Sequence, residues 1–234
     1  MSKKELAVQE ETIKDLVQAP DLSAWGEADV SASDLILPKI LLMQGLSELV
    51  AQGEAKMGDI INSLSSTVIG DEKKPVKILP FFCRKSWVVE KWDGSKFQFD
   101  HILPDIGEKL PYEDEIGGVK YKNSHQYEFF CLTEDKSIPH VLSFRGKSHK
   151  AGKQLFTQMY VINKSLGKSP AAYWIDLGCF RDKNDKGTFM VWSFKPTTES
   201  TNPDLNEAVK WIPIVKNAVV QPTAEPKAQE STVF

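Results

Sequence analysis

Two tripeptides, Gly146-Lys147-Ser148 and Gly167-Lys168-Ser169, carry the Gly-Lys-Ser order that closes a phosphate-binding loop. Such a loop needs a second glycine five positions earlier to turn the backbone around the phosphates, and those positions hold Val141 and Ile162. Neither is a nucleotide site. Glu113-Asp114-Glu115 is the densest group of carboxylates, but adjacent side chains point in different directions, so it reads as an exposed acidic loop and not as a magnesium site. His101, His125, His140 and His149 match none of the spacings that zinc sites use. Cys83, Cys131 and Cys179 are too widely separated for a metal site or a secreted disulfide framework. No serine or cysteine has a base and an orienting acid beside it in a recognisable pattern. The expectation is a binding protein with no catalysis, no metal and no cofactor.

What remains is aromatic side chains interleaved with positive charge. Trp87 and Trp92 lie near Arg84 and Lys85; Arg145, Lys147, Lys150 and Lys153 follow a strand end; Trp174 and Phe180 share a strand that leads to Arg181, Lys183 and Lys186. Proteins that hold single strands need this pairing, because bases stack on flat side chains at about 1 to 3 kcal/mol each while cations track the phosphates. The net charge of −3 conceals an asymmetry: Lys136 to Ile175 holds seven basic residues and no acidic one, leaving −10 on the remainder. A basic face suffices to bind a polyanion whatever the total charge, since counterion release depends on local phosphate contacts. A solvated basic helix is the competing reading. On the strand around Trp174, alternation assigns Tyr173, Ile175, Leu177 and Cys179 to the core and places Trp174 and Phe180 outside it. For Trp87, Trp92 and Trp192, core and stacking roles both stay open.

The elements that must position these residues follow from hydrophobic periodicity. A chain of 234 residues, 41% hydrophobic and 26% charged, suits one globular core with extensions. Residues 1–33 read as a flexible acidic arm. Residues 34–200 read as a single β-rich domain that starts with the apolar block from Asp34 to Gly45, whose Pro38 leaves helix and strand both open. Strand character runs over Val76–Trp92 with a bend at Pro80, and returns at His125–Thr133 and His140–Phe144. Between the first two, residues 93–118 hold seven carboxylates against Lys96 and Lys109 and read as a long loop or hairpin insertion. Ser148 is a candidate N-cap for a helix whose stripe is Ala151, Leu155, Met159, Ile162 and Leu166, with Gly167 as the stop. Strands at Ala171–Arg181 and Thr188–Lys195 follow, then a short helix over 201–218 that Pro213 ends, and a disordered tail over 219–234.

Strand, strand, strand, helix, strand, strand is the order of an OB-fold, a five-stranded Greek-key barrel with a helix between its third and fourth strands, and the fold class expected is mainly β of this kind. The block Asp34 to Gln44, Gly58-Asp59-Ile60, and the stretch from Phe144-Arg145-Gly146 to Lys186-Gly187-Thr188-Phe189 resemble a group of bacteriophage single-stranded-DNA-binding-like proteins. The resemblance covers about two thirds of the chain. It implies an OB barrel that coats single-stranded DNA in phage replication or recombination, with a terminal aromatic, here Phe234, recruiting partner proteins; the tail carries only −1. It leaves open a strand-annealing or recombination accessory, a protein adaptor that never touches nucleic acid, and a homo-oligomer. The polar start Met1-Ser2-Lys3-Lys4 and the lack of an apolar run near the roughly 20 residues of a membrane span place the chain in the host cytoplasm, without a membrane partner.

Overall fold

A computed structural model describes residues 35–185 and 187–217, so the expectations for the N-terminal arm, Lys186 and the tail with Phe234 lie outside the described residues. Its framework is two long antiparallel strands, β4 (Val76–Trp92) and β7 (Val119–Thr133), rich in the β-branched and aromatic residues that fit a pleated surface. Pro80 offers no N–H to the ladder, and the register shifts there, from Pro80↔Cys131 to Phe82↔Phe130. The extra residue, Phe81, inverts the alternation that follows. Up to Leu79, even-numbered residues of β4 face the main core; beyond the bulge, odd-numbered ones do, beginning with Cys83.

At one end this pair is flanked by β8 (His140–Arg145) on β7 and by β9 (Tyr173–Asn184) and β10 (Gly187–Glu199) beyond β4, giving the order β10-β9-β4-β7-β8. At the other end β5 (Phe97–Pro104) pairs with β4 and β6 (Glu113–Ile116) with β7, so the acidic insertion is a pair of hairpins that extends the sheet into an arm. The fold is mainly β and antiparallel, but no closed barrel forms: among the described residues β8 and β10 are not hydrogen-bonded to each other. The apolar block of the N-terminal region stands at that opening. Pro38 O accepts from Val141 N of β8 at 2.8 Å, and the side-chain amide of Gln44 takes the place of a strand partner for β10, with Nε2 on Met190 O at 3.0 Å and Oε1 on Met190 N at 2.9 Å. Between these contacts runs β1 (Ile40–Leu42), which forms a small sheet with β2 (Ile60–Asn62) and β3 (Val68–Gly70); α1 (Glu48–Ala51) connects β1 to β2.

The main core lies inside the curved sheet and contains Ile40, Ile78, Phe129, Leu142, Phe144, Ile175 and Leu177. Burying each such side chain stabilises the fold by about 1.5 to 3 kcal/mol. It is closed by α2 (His149–Phe156), which runs through a π-helical turn (Thr157–Ile162) into α3 (Asn163–Ser165). The expected stripe is corrected here. Ala151, Leu155 and Met159 are buried, but Ile162 and Leu166 are exposed and Asn163 is buried instead, because the wider turn advances the helix by an extra residue. Ser148 is not a side-chain cap either: its hydroxyl accepts from Arg145 N and donates to Arg145 O, pinning the strand-to-helix corner.

Gly152 sits where this helix crosses β8. A Cβ there would stand 2.6 Å from Phe144 Cβ and 2.9 Å from its Cγ. Glycine to alanine inside a helix ordinarily gains about 1 kcal/mol, but here overpacking against a side-chain root should win, so Gly152→Ala is expected to destabilise by about 1 to 3 kcal/mol in a denaturant titration.

The second core covers the outer side of the same sheet, where α4 (Asn202–Asn217) packs Ala208 and Val215 against Leu79, Phe81, Phe130, Leu132 and Trp174. The helix continues through Pro213, contrary to the expected stop: the proline removes one intrahelical bond, while burial of Ile214 and Val215 holds the last turn.

Candidate nucleic-acid interface

Cross-strand pairing decides which predicted residues can act together. Directly paired residues share a face, so Arg84, Ser86, Glu90 and Trp92 of β4 stand on the outer face with Lys122, Gln126 and Glu128 of β7, Arg145 of β8, and Phe97 and Phe99 of β5. Three rings here are open to solvent: Trp92 is 38%, Phe99 47% and Tyr112 61% exposed. Trp92 meets Phe97 edge to face at 5.1 Å, and Lys122 Nζ lies 5.7 Å from the Phe97 ring and 5.5 Å from that of Tyr112. The result is a row of flat side chains with a cation between them, on the stretch where the arm leaves the body of the sheet.

The cations of this face are already answered. Arg84 places Nε and Nη2 on Glu128 Oε2, each at 2.9 Å; Arg145 Nη1 reaches Glu90 at 3.2 Å; and Lys122 Nζ is 4.0 Å from the same carboxylate. Burial pushes the Glu128 carboxyl above its ordinary value despite Arg84, and burial pulls the nearby Lys39 ammonium down to about 8. An anion approaching either guanidinium would have to displace the carboxylate already paired with it.

Lys85 and Trp87, one residue out of step, face the other side. Lys85 Nζ pairs with Asp105 at 3.3 Å, and the Trp87 ring packs edge-on against His125 at 4.9 Å. Asp105 Oδ2 also meets His125 Nε2 at 3.1 Å, and His125 Nδ1 meets His149 Nε2 at 2.8 Å, so a chain of polar contacts ties the β5–β6 connection to the start of α2. Backbone Gly107 N–H and then His125 hold Asp105 down at about 2, while burial, His125 and Lys153 keep His149 below its usual value. The ionised Asp105 carboxylate can only accept, so its contact with His125 is a hydrogen bond donated from Nε2.

The other predicted residues are dispersed. Lys147, Lys150 and Lys153 are exposed at the start of α2; Phe180, Arg181 and Lys183 are exposed at the far end of β9 and β10. Trp174 is corrected outright. Alternation does place it opposite Ile175, but that side is covered by α4, leaving Trp174 7% exposed with its Nε1 donating to Asp204 Oδ2 at 3.1 Å. Tyr173, expected in the core, is half-buried with its hydroxyl 2.7 Å from Lys168 Nζ. Sequence reasoning missed Phe97, Phe99, Tyr112 and Lys122, although three aromatics within the acidic insertion were a signal that it is more than a solvated loop.

Over residues 7–218 the chain matches the family described as Pam3 phage gp34-like protein. It belongs to that family. The match spans all the described residues of this gp34-like chain, arm and outer face included. Neither a curated protein nor a solved structure matches it. No helix among the described residues is long and apolar enough to cross a membrane, and no group of histidines, cysteines and carboxylates among them could hold a metal ion. Burial pushes the thiols of Cys83 and Cys179 up to about 12 and about 11, so neither is a thiolate at neutral pH.

Proposed function

We propose that this phage-family protein binds single-stranded DNA without regard to sequence, on the outer face of β4, β5 and β7, in phage replication or recombination within the host cytoplasm. The observation that carries the reading is the set of solvent-open rings, Trp92, Phe99 and Tyr112, on one face with Lys122 and Arg145. The strand order supports it: β4, β7, β8, helix, β9, β10 with β9 beside β4 is the OB order left open between its third and fifth strands. OB ligands lie across the second and third strands and the loop between the first and second, which here correspond to β7, β8 and the arm. Stacking is sequence-tolerant because every base has a π face, and the reading needs no catalytic step.

Titration with oligo(dT) and with mixed oligonucleotides of equal length, followed by tryptophan fluorescence, tests this directly. Quenching is expected with both, and Trp92→Ala and Phe99→Ala should each weaken binding by about 1 to 3 kcal/mol with the fold intact. The salt dependence should be shallow, because log K changes by about 0.7 per phosphate contact and each cation must first leave its carboxylate. Absence of binding at low salt by the folded protein would reject the proposal. That outcome would select a protein adaptor, the reading favoured by the answered cations.

A further inference from the structure

Two histidine rings meet where the arm joins the core-closing helix. His125 of β7 and His149, the first residue of α2, stand with Nδ1 and Nε2 2.8 Å apart, the separation of a hydrogen bond. His125 Nε2 points the other way and donates to Asp105 Oδ2, and that carboxylate also takes Lys85 Nζ at 3.3 Å and the Gly107 N–H at 2.9 Å. The Tyr127 ring lies 5.2 Å from the ring of His125 and 5.1 Å from that of His149. Among the described residues, the ionisable groups that face the pair are Lys85 from β4, Asp105 from the β5–β6 connection, Tyr127 from β7 and Lys153 from α2. Burial pushes the Tyr127 hydroxyl above its ordinary value, and Asp105 stays ionised down to about 2, which leaves the imidazoles as the groups that take up protons as the solution turns acid.

The pair has room for a limited number of protons. With His125 Nε2 committed to Asp105, one proton bridges the rings, on His125 Nδ1 or on His149 Nε2, and either position keeps the hydrogen bond. One further proton is accommodated at His149 Nδ1. The next sets two N–H groups face to face across the same gap. We propose that His125 and His149 are a proton-operated clasp between β7 and the start of α2, closed while a single proton bridges the rings and open when each ring is an imidazolium. The break falls between the rings and not at the carboxylate, because a charged His125 gains attraction to Asp105 while His149 is repelled by that ring and by Lys153. Burial, His125 and Lys153 hold His149 below its ordinary value, as resistance to the last proton requires. The unfolded chain lacks that resistance and binds more protons, so the stability at stake is full above the ordinary imidazole value of about 6.5 and is lost as the pH falls below it. Closed, the clasp fastens the helix through His125 and Asp105 to the β5–β6 connection; open, it leaves the helix start to the Ser148–Arg145 corner and the buried Ala151 and Leu155. The device is independent of nucleic-acid binding.

Nuclear magnetic resonance of the full chain with labelled histidines, taken without DNA from about pH 8 to about pH 4.5, tests it. His125 and His149 should take up protons in two coupled steps, the second with at least about tenfold lower affinity than the first. The ring-proton contact between His149 and Tyr127 should persist through the first step and vanish with the second. In His149→Ala, His125 should titrate in a single step, and the melting temperature should fall less between about pH 7 and about pH 5 than it does in the wild type. Melts at neutral pH establish that this variant is folded, and the wild-type titration decides by itself if it is not. The proposal is overturned if the two rings titrate in independent single steps, if the His149–Tyr127 contact survives in the doubly protonated protein, or if His149→Ala leaves the acid loss of stability unchanged.

Discussion

Replacing Trp174 by Ala should destabilise the protein by about 3 to 5 kcal/mol, without changing oligonucleotide affinity per folded molecule. The indole fills the second core between β9 and α4, beside Leu79, Phe130 and Ala208. Its Nε1 donates to Asp204 Oδ2, and Asp204 also accepts from Lys136 and from Thr201 N at 2.8 Å. Loss of the ring therefore opens a cavity and removes a donor from a carboxylate held well below its ordinary range by its hydrogen bonds, against the burial that would raise it. Residual helix content in far-UV circular dichroism should fall with the loss of α4 docking. A stable Trp174→Ala variant with weakened binding would mean that α4 does not cover this face in solution.

Leu155→Ala should cost about 2 to 5 kcal/mol, whereas Ile162→Ala should stay within about 0.5 kcal/mol. The two residues belong to one stripe by sequence spacing, yet Leu155 is 0% exposed against the main core and Ile162 is 49% exposed past the π-helical turn. Urea midpoints of the two variants separate a helix that changes phase at Thr157 from one that keeps a regular stripe. Equal losses would restore the regular helix and bring Ile162 inward.

Much of the architecture was legible because it is local. Strand composition marked β4, β7, β8, β9 and β10, and Ala151, Leu155 and Met159 placed the helix correctly. Face assignment failed where a distant element decides it. Alternation put Trp174 and Ile175 on opposite sides correctly, but nothing near residue 174 announces that Ala208 and Val215 return to cover one of them. The bulge at Phe81 is equally decisive, since it determines whether the set that includes Arg84 and Trp92 faces the main core or the outer side. The candidate site was legible only in its chemistry. Arg84, Trp92 and Arg145 do meet on one face, whereas the carboxylates that answer the arginines, Glu128 and Glu90, lie 44 and 55 positions away from them. The exposed rings of Phe99 and Tyr112 were hidden inside a segment whose charge dominates its appearance.

The Gln44 bridge to Met190 spans 146 positions. At a synthesis rate of about 5 to 20 residues per second, that interval lasts about 7 to 30 s. The block from Leu35 to Met43, among the most apolar in the chain, therefore emerges from the ribosome well before either edge it contacts exists. β8 arrives first and β10 last, so closure can only follow the making of the whole sheet. Over those seconds the nascent chain presents an unpartnered sticky segment to its surroundings, and a truncated product that lacks β10 would present it permanently. Prolonged pausing of translation before Met190 should therefore favour aggregation or chaperone capture, a cost that follows from linking the two ends of a domain through a side chain so near its beginning.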